Sequence, residues 1–339
     1  MAGRTPQSAR RAAAQAAAAF GHAAGGGQRR PAAVAAAAAR RCLHTSASAD
    51  RPLRIMYFGS DAFSIQTLQA VTSLQQTRPD VVADVQVAVR RPKPAGRGRR
   101  TVREVALQAF ARGRGLRVHE VDSRADFEAL AGAGADLAVA VSYGRLIPAR
   151  YLSQLAFGGL NVHPSVLPQY SGPSPLQYAI ADGVAATGVT VQTLDPHAFD
   201  RGRAVAVERG IAVAGDDTAA SLAERVAVAG AGALARVLVV LAEADVDELD
   251  EAVLPTVPTS EAYSYAPKIA RPFWTVDWAA DTAAGLGRRF RACMRPLETA
   301  KTYAGGVQRT VLLDGVAPVA VPAALAGRPA GAYVAGAGA

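Results

Sequence analysis

NVHPSVLP, residues 161–168, predicts the end of a β-strand and the loop that follows it. Alternate side chains of a strand point to one face, so Asn161 and His163 lie together before Pro164 ends the strand. An amide N–H donor beside an imidazole that can hold a proton is what an acyl-transfer site needs to stabilise a tetrahedral oxyanion. The stretch therefore predicts a sheet edge that carries a catalytic pair.

A carboxylate partner for His163 is expected elsewhere in the chain. The segment HAFDRG, residues 197–202, supplies Asp200 on a predicted loop between two apolar, strand-like runs. Asp195 comes just before a proline, and a turn-forming role is the favoured interpretation of this residue. Asp200 is therefore the expected partner, and it would keep His163 charged and oriented.

Strands and helices alternate through the middle of the chain. Apolar runs predict strands at residues 54–58, 81–89, 116–118, 135–142, 188–194 and 204–207. Helices are predicted after Gly59-Ser60, after a capping box formed by Thr101 and Glu104, and at 123–131. This alternation predicts an α/β fold with a doubly wound, mostly parallel, Rossmann-like sheet. Ligands of such sheets bind beyond the carboxyl ends of the strands, where Asn161 and His163 are expected.

The turn after the first predicted strand bears on whether the chain is a nicotinamide-dependent oxidoreductase. A nicotinamide-dependent oxidoreductase would carry G-x-G-x-x-G there, whereas residues 59–64 read GSDAFS. The dinucleotide-binding interpretation therefore loses its main support.

Composition places most of the positive charge in the first 50 residues. The chain has 339 residues, which suggests about two domains once a tail is set aside. Residues 1–50 contain seven arginines and one acid, Asp50, and hold +6 of the formal net charge of +9. A general nucleic-acid binder is not favoured, because the remainder of the chain is only weakly basic.

Residues 1–50 are rich in Ala, Arg, Ser and Gly, and contain no apolar run long enough to span a bilayer. They predict a mitochondrial presequence, cleaved between about His44 and Arg51, and hence a matrix location without a membrane partner. A disordered, Ala-rich extension is the alternative. The chain has only two cysteines, Cys42 and Cys293, so neither a disulfide framework nor a cysteine-based metal site is expected, and no metal is predicted.

Six blocks of the chain resemble methionyl-tRNA formyltransferases of the mitochondrial kind. They are LRIMYFGSDAFSIQTL (53–68), RPKPAGRGRR (91–100), DLAVAVSYGRLIP (136–148), NVHPSVLPQYSGPSPLQYAIADG (161–183), TGVTVQTLDPHAFDRG (187–202) and YAPKI (265–269). The blocks follow the order of that family. The wider class of formyltransferases shares the Asn, His and Asp, and the KPAGRG loop and YAPKI narrow the resemblance to the tRNA-directed branch.

The resemblance implies transfer of the formyl group of 10-formyltetrahydrofolate to the α-amine of initiator methionyl-tRNA, for mitochondrial translation initiation. Asn161 and a protonated His163 would hold the oxyanion, with Asp200 behind His163. By the same resemblance, the folate would contact Ser165, Val166, Leu167, Pro168, Tyr143, Gly144 and Leu146. The family usually has Leu or Cys where Val166 stands, a change that we expect to be tolerated if backbone groups bind the pterin.

Residues 90–103 form an acid-free basic loop, which its glycines and prolines keep from regular structure. The residues expected to contact the tRNA are Lys93, Arg97, Arg99 and Arg100 of this loop, together with Lys268 of YAPKI. Cations there would bind phosphates, and Arg97 could also reach base edges of an unpaired end. A merely solvated loop is the alternative interpretation.

The predicted organisation is a presequence at 1–50, a catalytic domain at 51–250, a linker at 251–270 and a C-terminal domain at 271–339. Asp217 is expected to cap a long helix that ends near Ala242. The last domain is predicted to hold alternating Trp274, Val276 and Trp278, a helix at 282–294 and a hairpin at 302–313. The resemblance implies a tRNA-binding β-barrel here, and the low-complexity last residues predict a reduced or truncated one. A monomer is expected.

Two other functions remain open on the residues alone. A formyltransferase acting on a small amine such as glycinamide ribonucleotide would share Asn161, His163 and Asp200, but would need neither the basic loop nor YAPKI. A non-catalytic RNA-binding protein could keep the fold, but it would not need that intact triad.

Overall fold

The structure is a computed structural model, which describes residues 52–92, 94–95, 101–102, 104–244, 249, 251–299, 302–304, 307–309 and 312–313. Several sequence predictions lie outside these residues: the presequence at 1–50 with its cleavage site and Cys42, and the basic-loop residues Lys93, Arg97, Arg99 and Arg100. The low-complexity C-terminal residues lie outside them too.

The chain forms two compact units. The first contains the described residues up to His163, together with Val189–Glu208 and Ala227–Ser260. The second contains Pro164–Gly188, Arg209–Val226 and the described residues from Glu261 onward. The domain boundaries proposed at residues 250 and 270 stay a prediction.

Seven strands form the main sheet, in the order β5-β2-β1-β6-β7-β8-β9. These strands are β1 (Leu53–Gly59), β2 (Val82–Val89), β5 (Val118–Glu120), β6 (Leu137–Val141), β7 (Gly159–His163), β8 (Ala186–Thr193) and β9 (Ala204–Ala212). The pairs β5–β2, β2–β1, β1–β6 and β6–β7 are parallel, whereas β7 and β8 run antiparallel. This confirms the predicted α/β fold with a mostly parallel sheet.

Eight α-helices accompany the strands in the described part of the chain. They are α1 (Ala62–Thr77), α2 (Ala106–Gly113), α3 (Arg124–Leu130), α4 (Ala149–Leu152), α5 (Pro175–Asp182), α6 (Ala219–Glu243), α7 (Arg271–Trp274) and α8 (Ala283–Cys293). In the first unit the aromatic ring of Phe58 at the end of β1 is a centre of packing. It stacks on Phe127 of α3 and meets Tyr151 of α4 edge-on, with ring centroids 6.0 and 5.9 Å away. Such pairs add to the burial that holds helices on the sheet.

The predicted capping box at Thr101 is wrong. Thr101–Val102 (β4) pairs with Pro94–Ala95 (β3) in a two-stranded ladder, and α2 begins only at Ala106 without a side-chain cap. The prediction that the basic loop lacks regular structure is therefore wrong for these four residues. A capping box is present instead at the start of α3, where Ser123 Oγ accepts a hydrogen bond from the backbone N–H of Asp126 and the Asp126 carboxylate accepts one from the backbone N–H of Ser123. Backbone N–H groups of Asp122 and Ser123 lower the pKa of Asp126 to about 2.

The long helix α6 is capped by Thr218 rather than by Asp217. Thr218 Oγ1 accepts from the backbone N–H of Ser221 at 3.2 Å, the geometry of an N-cap. Asp217 lies one residue too early, where its carboxylate accepts from the Ser221 hydroxyl and pairs with Arg225. The Arg225 guanidinium lowers the pKa of Asp217 to about 2.

An apolar stripe runs along α6. A side chain at Gly230 would meet Val162 of β7 and Val189 of β8 at 3.0 Å, so this part of the helix packs directly on the sheet. In the described part of the chain, α6 alone is long and apolar enough to cross a membrane by length and composition, and half of that stretch is buried in the fold. This is weak evidence for a membrane span, because a core helix passes the same test.

The C-terminal part of the second unit has a small core of Val276, Leu286 and Leu297. Its strands are β10 (Thr275–Val276), β11 (Leu297–Thr299), β12 (Thr302–Ala304), β13 (Val307–Arg309) and β14 (Leu312–Leu313). The predicted helix is confirmed as α8, and the predicted hairpin as β12 and β13, but β14 pairs with β11. Trp274 belongs to the short helix α7, so the expected strand is confined to β10. Closure of these strands into a barrel stays a prediction.

Gly202 brings the loop between β8 and β9 close to the backbone of β8. A Cβ atom at Gly202 would lie 1.6 Å from the carbonyl oxygen of Thr193. Two hydrogen bonds of 2.9 Å fix this approach, one from the Thr193 N–H to Arg203 O and one from the Arg203 N–H to Thr193 Oγ1. Only glycine fits, which explains the last residue of HAFDRG.

We predict that Gly202→Ala lowers the free energy of unfolding by about 3 kcal/mol, the upper end of the usual cost of overpacking. Urea unfolding followed by circular dichroism measures the change. Gly215→Ala is the control, because nothing lies within 4 Å of a Cβ atom there. Equal stability of the two variants would contradict the close approach at Gly202.

Candidate active site at the end of strand β7

The predicted strand end is present, since β7 ends at His163, directly before Pro164. Asn161 and His163 lie on one face of β7, with Val162 facing the other side. In the antiparallel register with β8, Asn161 lies opposite Gln192 and His163 opposite Thr190. The two residues are thus held by ladders on a central strand, which fixes their positions more firmly than a loop would.

Asp200 is the carboxylate that meets His163. Asp200 Oδ1 lies 3.3 Å from His163 Nδ1, and the two side chains are only 9% and 7% exposed. Asp200 has a φ angle of +55°, in the left-handed region that non-glycine residues rarely adopt. The structure therefore brings together the two residues that the sequence placed 37 positions apart, and the contact fixes the orientation of the imidazole ring.

Gln192 is a site residue that the sequence analysis missed. Its Nε2 donates to Asp200 Oδ1 at 3.3 Å, and its side chain projects on the same face as Asn161. The residue is buried, and its Oε1 atom has no hydrogen-bond partner among the residues that the structure describes. The only signal in the sequence was a long polar side chain inside a predicted strand, since such a residue needs a hydrogen-bond partner if it is buried.

Asn161 is partly buried, and no hydrogen bond within the described part of the chain engages its side-chain amide. A carboxamide in this state can donate to a ligand without first breaking an internal bond. Asn161 and His163 can therefore supply two donors on one face of β7, the pattern of an oxyanion-binding pair.

Asp195 has the predicted turn-forming role. Its Oδ1 accepts from the backbone N–H groups of His197 and Ala198 at 2.7 and 3.0 Å. These hydrogen bonds lower the pKa of Asp195 below its usual value. The carboxylate thus shapes the loop, while Asp200 from the same loop reaches His163.

The predicted folate residues 165–168 belong to the second unit and follow β7 directly. Ser165 is fully buried, and its hydroxyl donates to the carbonyl oxygen of Gln169 at 2.6 Å. The side chains of Val166 and Leu167 are buried too. The segment is therefore a defined turn whose side chains face inward, which leaves the backbone to contact a ligand.

The other predicted folate residues follow β6 in the first unit. The Tyr143 side chain is a core residue: its ring meets Phe58 at 5.1 Å, and its hydroxyl donates to Val121 O at 2.9 Å. Burial raises the pKa of Tyr143 to about 12. Any contact of Tyr143 with a folate is thus limited to its backbone, whereas Gly144 and Leu146 are exposed.

Two arginines at the start of the basic loop are already paired. Arg90 lies 3.3 Å from Asp122 and Arg91 lies 3.2 Å from Asp126, while Asp122 also pairs with Arg145 at 2.9 Å. These contacts tie the beginning of the loop to the segment after β5. Lys268, the remaining described candidate for tRNA binding, is exposed in the second unit.

Two further features lie apart from these residues. A cavity of about 390 Å³ is lined by residues of α3, of α4 and of the chain on either side of α4, including Phe127, Tyr151 and Pro148, and by none of the predicted site residues. Among the described residues, no group of three or more His, Cys, Asp and Glu side chains is placed to hold a metal ion.

The chain is similar to known formyltransferases. The family described as formyl transferase matches residues 53–238. A methionyl-tRNA formyltransferase of a Jannaschia species is 33% identical over 268 residues, covering 78% of this chain and 82% of that protein. The mitochondrial methionyl-tRNA formyltransferase of Saccharomyces cerevisiae is 32% identical over 289 residues, covering 72% of this chain and 69% of that protein.

A solved structure shows the same fold. A sugar N-formyltransferase from a Shewanella species has a TM-score of 0.55 at 14% identity, covering 79% of this chain and 99% of that one. The family match spans more than half of the chain, and the sequence relatives cover most of it at over 30% identity. The chain therefore belongs to the formyl transferase family, among its methionyl-tRNA formyltransferases.

Proposed function

We propose that this enzyme transfers the formyl group of 10-formyltetrahydrofolate to the α-amine of initiator methionyl-tRNA, in the mitochondrial matrix. The observation that carries the proposal is the buried His163–Asp200 contact of 3.3 Å beside Asn161 on the end of β7. The names of the sequence relatives support methionyl-tRNA as the acceptor and, in one case, a mitochondrial location.

The amine needs little activation, whereas the oxygen of the formyl carbonyl needs stabilisation as it becomes negative. An α-amino group has a reference pKa of about 7.7–8.0, so a substantial fraction is neutral and nucleophilic near pH 7–8. Its nitrogen attacks the formyl carbon, and the electron pair of the C=O bond moves to the oxygen. The negative oxygen then needs donors that are already in place, because reorganising them during the reaction would add to the barrier.

Asn161 Nδ2 and the protonated His163 ring are the proposed donors to this oxygen. Asp200 orients His163 and balances its positive charge, and Gln192 holds Asp200 in turn. The intermediate collapses when the C=O bond re-forms and the bond from carbon to folate N10 breaks. The proton lost by the amine ends on N10, so the products are the formyl amide and tetrahydrofolate.

Substrate contacts extend the proposal to residues outside the donor pair. For the folate we propose backbone groups of Ser165, Val166, Leu167 and Pro168, the backbone of Tyr143 and Gly144, and the side chain of Leu146. For the tRNA we propose Lys93, Arg97, Arg99, Arg100 and Lys268. Cations on an acceptor stem position the substrate through its phosphates, which brings the α-amine to the formyl group.

A small-amine acceptor such as glycinamide ribonucleotide is the second candidate. A sugar N-formyltransferase shares the fold, but at 14% identity this likeness concerns the fold alone. The methionyl-tRNA formyltransferases match at more than twice that identity. Formyl transfer from 10-formyltetrahydrofolate to charged initiator tRNA, with glycinamide ribonucleotide as a competing acceptor, decides between them: methionyl-tRNA should be the preferred acceptor.

We predict that Asn161→Ala and His163→Ala each reduce kcat by at least ~10², the usual loss when one oxyanion donor is removed. Folate affinity should change little, because the donors act on the transition state. Asp200→Asn should act in the same direction. Steady-state kinetics with methionyl-tRNA measures these effects on folded protein.

Asp195→Asn is the matched control for Asp200→Asn, since both residues lie on one loop and the Asp195 carboxylate accepts hydrogen bonds from the backbone of its own turn. It should leave kcat within about twofold, since an amide oxygen can accept the same hydrogen bonds. Near wild-type turnover of Asn161→Ala would count against the donor pair.

We predict that Arg97→Ala lowers the salt dependence of tRNA binding by roughly 0.7–0.9 in log–log slope, the value expected for each lost phosphate contact. It should also lower kcat/KM for methionyl-tRNA while leaving folate binding unchanged, whereas Arg99→Ala should show mainly the salt effect. Arg91→Ala is the control, because Asp126 already neutralises Arg91. A double Arg97 and Arg99 replacement with unaltered kinetics and salt slope would mean that the loop is only solvated.

Residues 1–50 are proposed to act as a presequence on the strength of their composition. We predict that the protein isolated from mitochondria begins between about His44 and Arg51, as N-terminal sequencing would show. A mature protein that begins at residue 2 would refute the presequence.

A further inference from the structure

The segment Ser264–Ala266 runs beside the loop that follows the predicted folate residues, inside the second unit. Tyr265 forms a parallel bridge with Ser171. The backbone of Ser171 donates to Ser264 O at 2.9 Å, and the backbone of Ala266 donates to Ser171 O at 2.7 Å. The linker thus adds a short strand to the loop, which we call the linker–loop pair.

Ser264 makes several of these contacts. Its Oγ atom accepts from the backbone N–H of Tyr170 at 2.8 Å, and its own backbone N–H donates to Pro168 O at 3.4 Å. Tyr170 has a φ angle of +53°, a conformation that needs support from its surroundings. The Ser264 hydroxyl is therefore the linker side-chain group that supports the conformation of Tyr170 in this loop.

The linker–loop pair is closely packed and largely buried. Gly172 has a φ angle of +117°, and a Cβ atom there would lie 2.7 Å from both Ala266 O and the Tyr265 ring. Tyr170 and Ser171 are buried, and Ala266 is fully buried in a cluster with Tyr170. Hydrogen bonds that water cannot reach are stronger and more costly to lose than exposed ones.

Hydrogen bonds connect the pair to the predicted folate segment. The Ser171 hydroxyl donates to Pro168 O at 3.1 Å, and the Ser165 hydroxyl donates to Gln169 O at 2.6 Å. Ser264 thus contacts Pro168 and Tyr170, and Ser165 contacts Gln169, which lies between those two residues in the chain. The backbone groups of residues 165–168 are the ones proposed to contact the folate. A backbone that must present donors and acceptors to a ligand binds better when its shape is fixed in advance.

We infer that Ser264 is a positioning residue, which holds the loop at residues 165–171 in the shape that binds the formyl donor. The inference rests on the proposed function, because it takes the ligand of residues 165–168 to be the folate. It assigns to the linker a task in co-substrate binding, in addition to the proposed contact of Lys268 with tRNA.

The test compares Ser264→Ala with wild-type enzyme by titration with 5-formyltetrahydrofolate, a stable analogue, and by the KM values for both substrates. Ser264→Ala should weaken folate binding and raise the folate KM by about 3- to 10-fold, the range for one lost hydrogen bond. The KM for methionyl-tRNA should stay within twofold. Ser260→Ala is the control, because Ser260 is an exposed serine of the same linker.

Ser264→Thr and Ser264→Val form a second pair with the same shape, in which only the threonine keeps the hydroxyl. The threonine variant should bind the folate several-fold more tightly than the valine variant, with similar melting temperatures. Equal folate affinity in this pair, or wild-type affinity in Ser264→Ala, would overturn the inference. Wild-type enzyme that binds the folate but does not formylate methionyl-tRNA would contradict the proposed function instead, and the titration would still test Ser264.

Discussion

His163 and Asp200 place an imidazole and a carboxylate 3.3 Å apart where both side chains are less than a tenth exposed. An ionised carboxylate alone would be expensive there, since a buried charge without a partner costs several kcal/mol. Contact with the imidazole offsets this cost, provided that the backbone brings the two side chains to this distance. Several contacts in the first unit keep His163 and Asp200 at this distance.

Three features of the fold position His163 and Asp200. The antiparallel register of β7 and β8 aligns His163 and Asn161 with residues of the neighbouring strand. Gly202 allows the loop that carries Asp200 to press against Thr193. Gln192 then donates a hydrogen bond to Asp200 from β8, which limits the positions that the carboxylate can take. These contacts hold the proposed donors, Asn161 and His163, in place before substrate arrives, as electrostatic stabilisation of a transition state would require.

The sequence predicted the parts of the site that depend on local patterns. Alternation in β7 predicted the shared face of Asn161 and His163, and the proline after His163 predicted the strand end. The parts of the site that depend on contacts between distant segments could not be predicted from the sequence. Gln192 looked like an ordinary polar residue until its strand was placed beside β7, and Tyr143 gave no sign that its hydroxyl would be used up on Val121.

The starts of two helices also could not be predicted from local sequence patterns alone. Thr101 and Glu104 have the spacing of a capping box, but pairing of Thr101 with β3 removed Thr101 from the helix end. Thr218 and Asp217 are adjacent and both are good caps, so only the geometry could decide between them. The resemblance to known formyltransferases supplied what neither pattern nor packing could, namely the identity of the two substrates.

The most direct test of the central contact is a double-mutant cycle on kcat/KM for methionyl-tRNA, with His163→Ala, Asp200→Ala and the double variant. If Asp200 acts through His163, the double variant should be about as slow as His163→Ala alone, since the residues work as a unit. Losses that multiply in the double variant would show that the two side chains act independently, and would contradict this account.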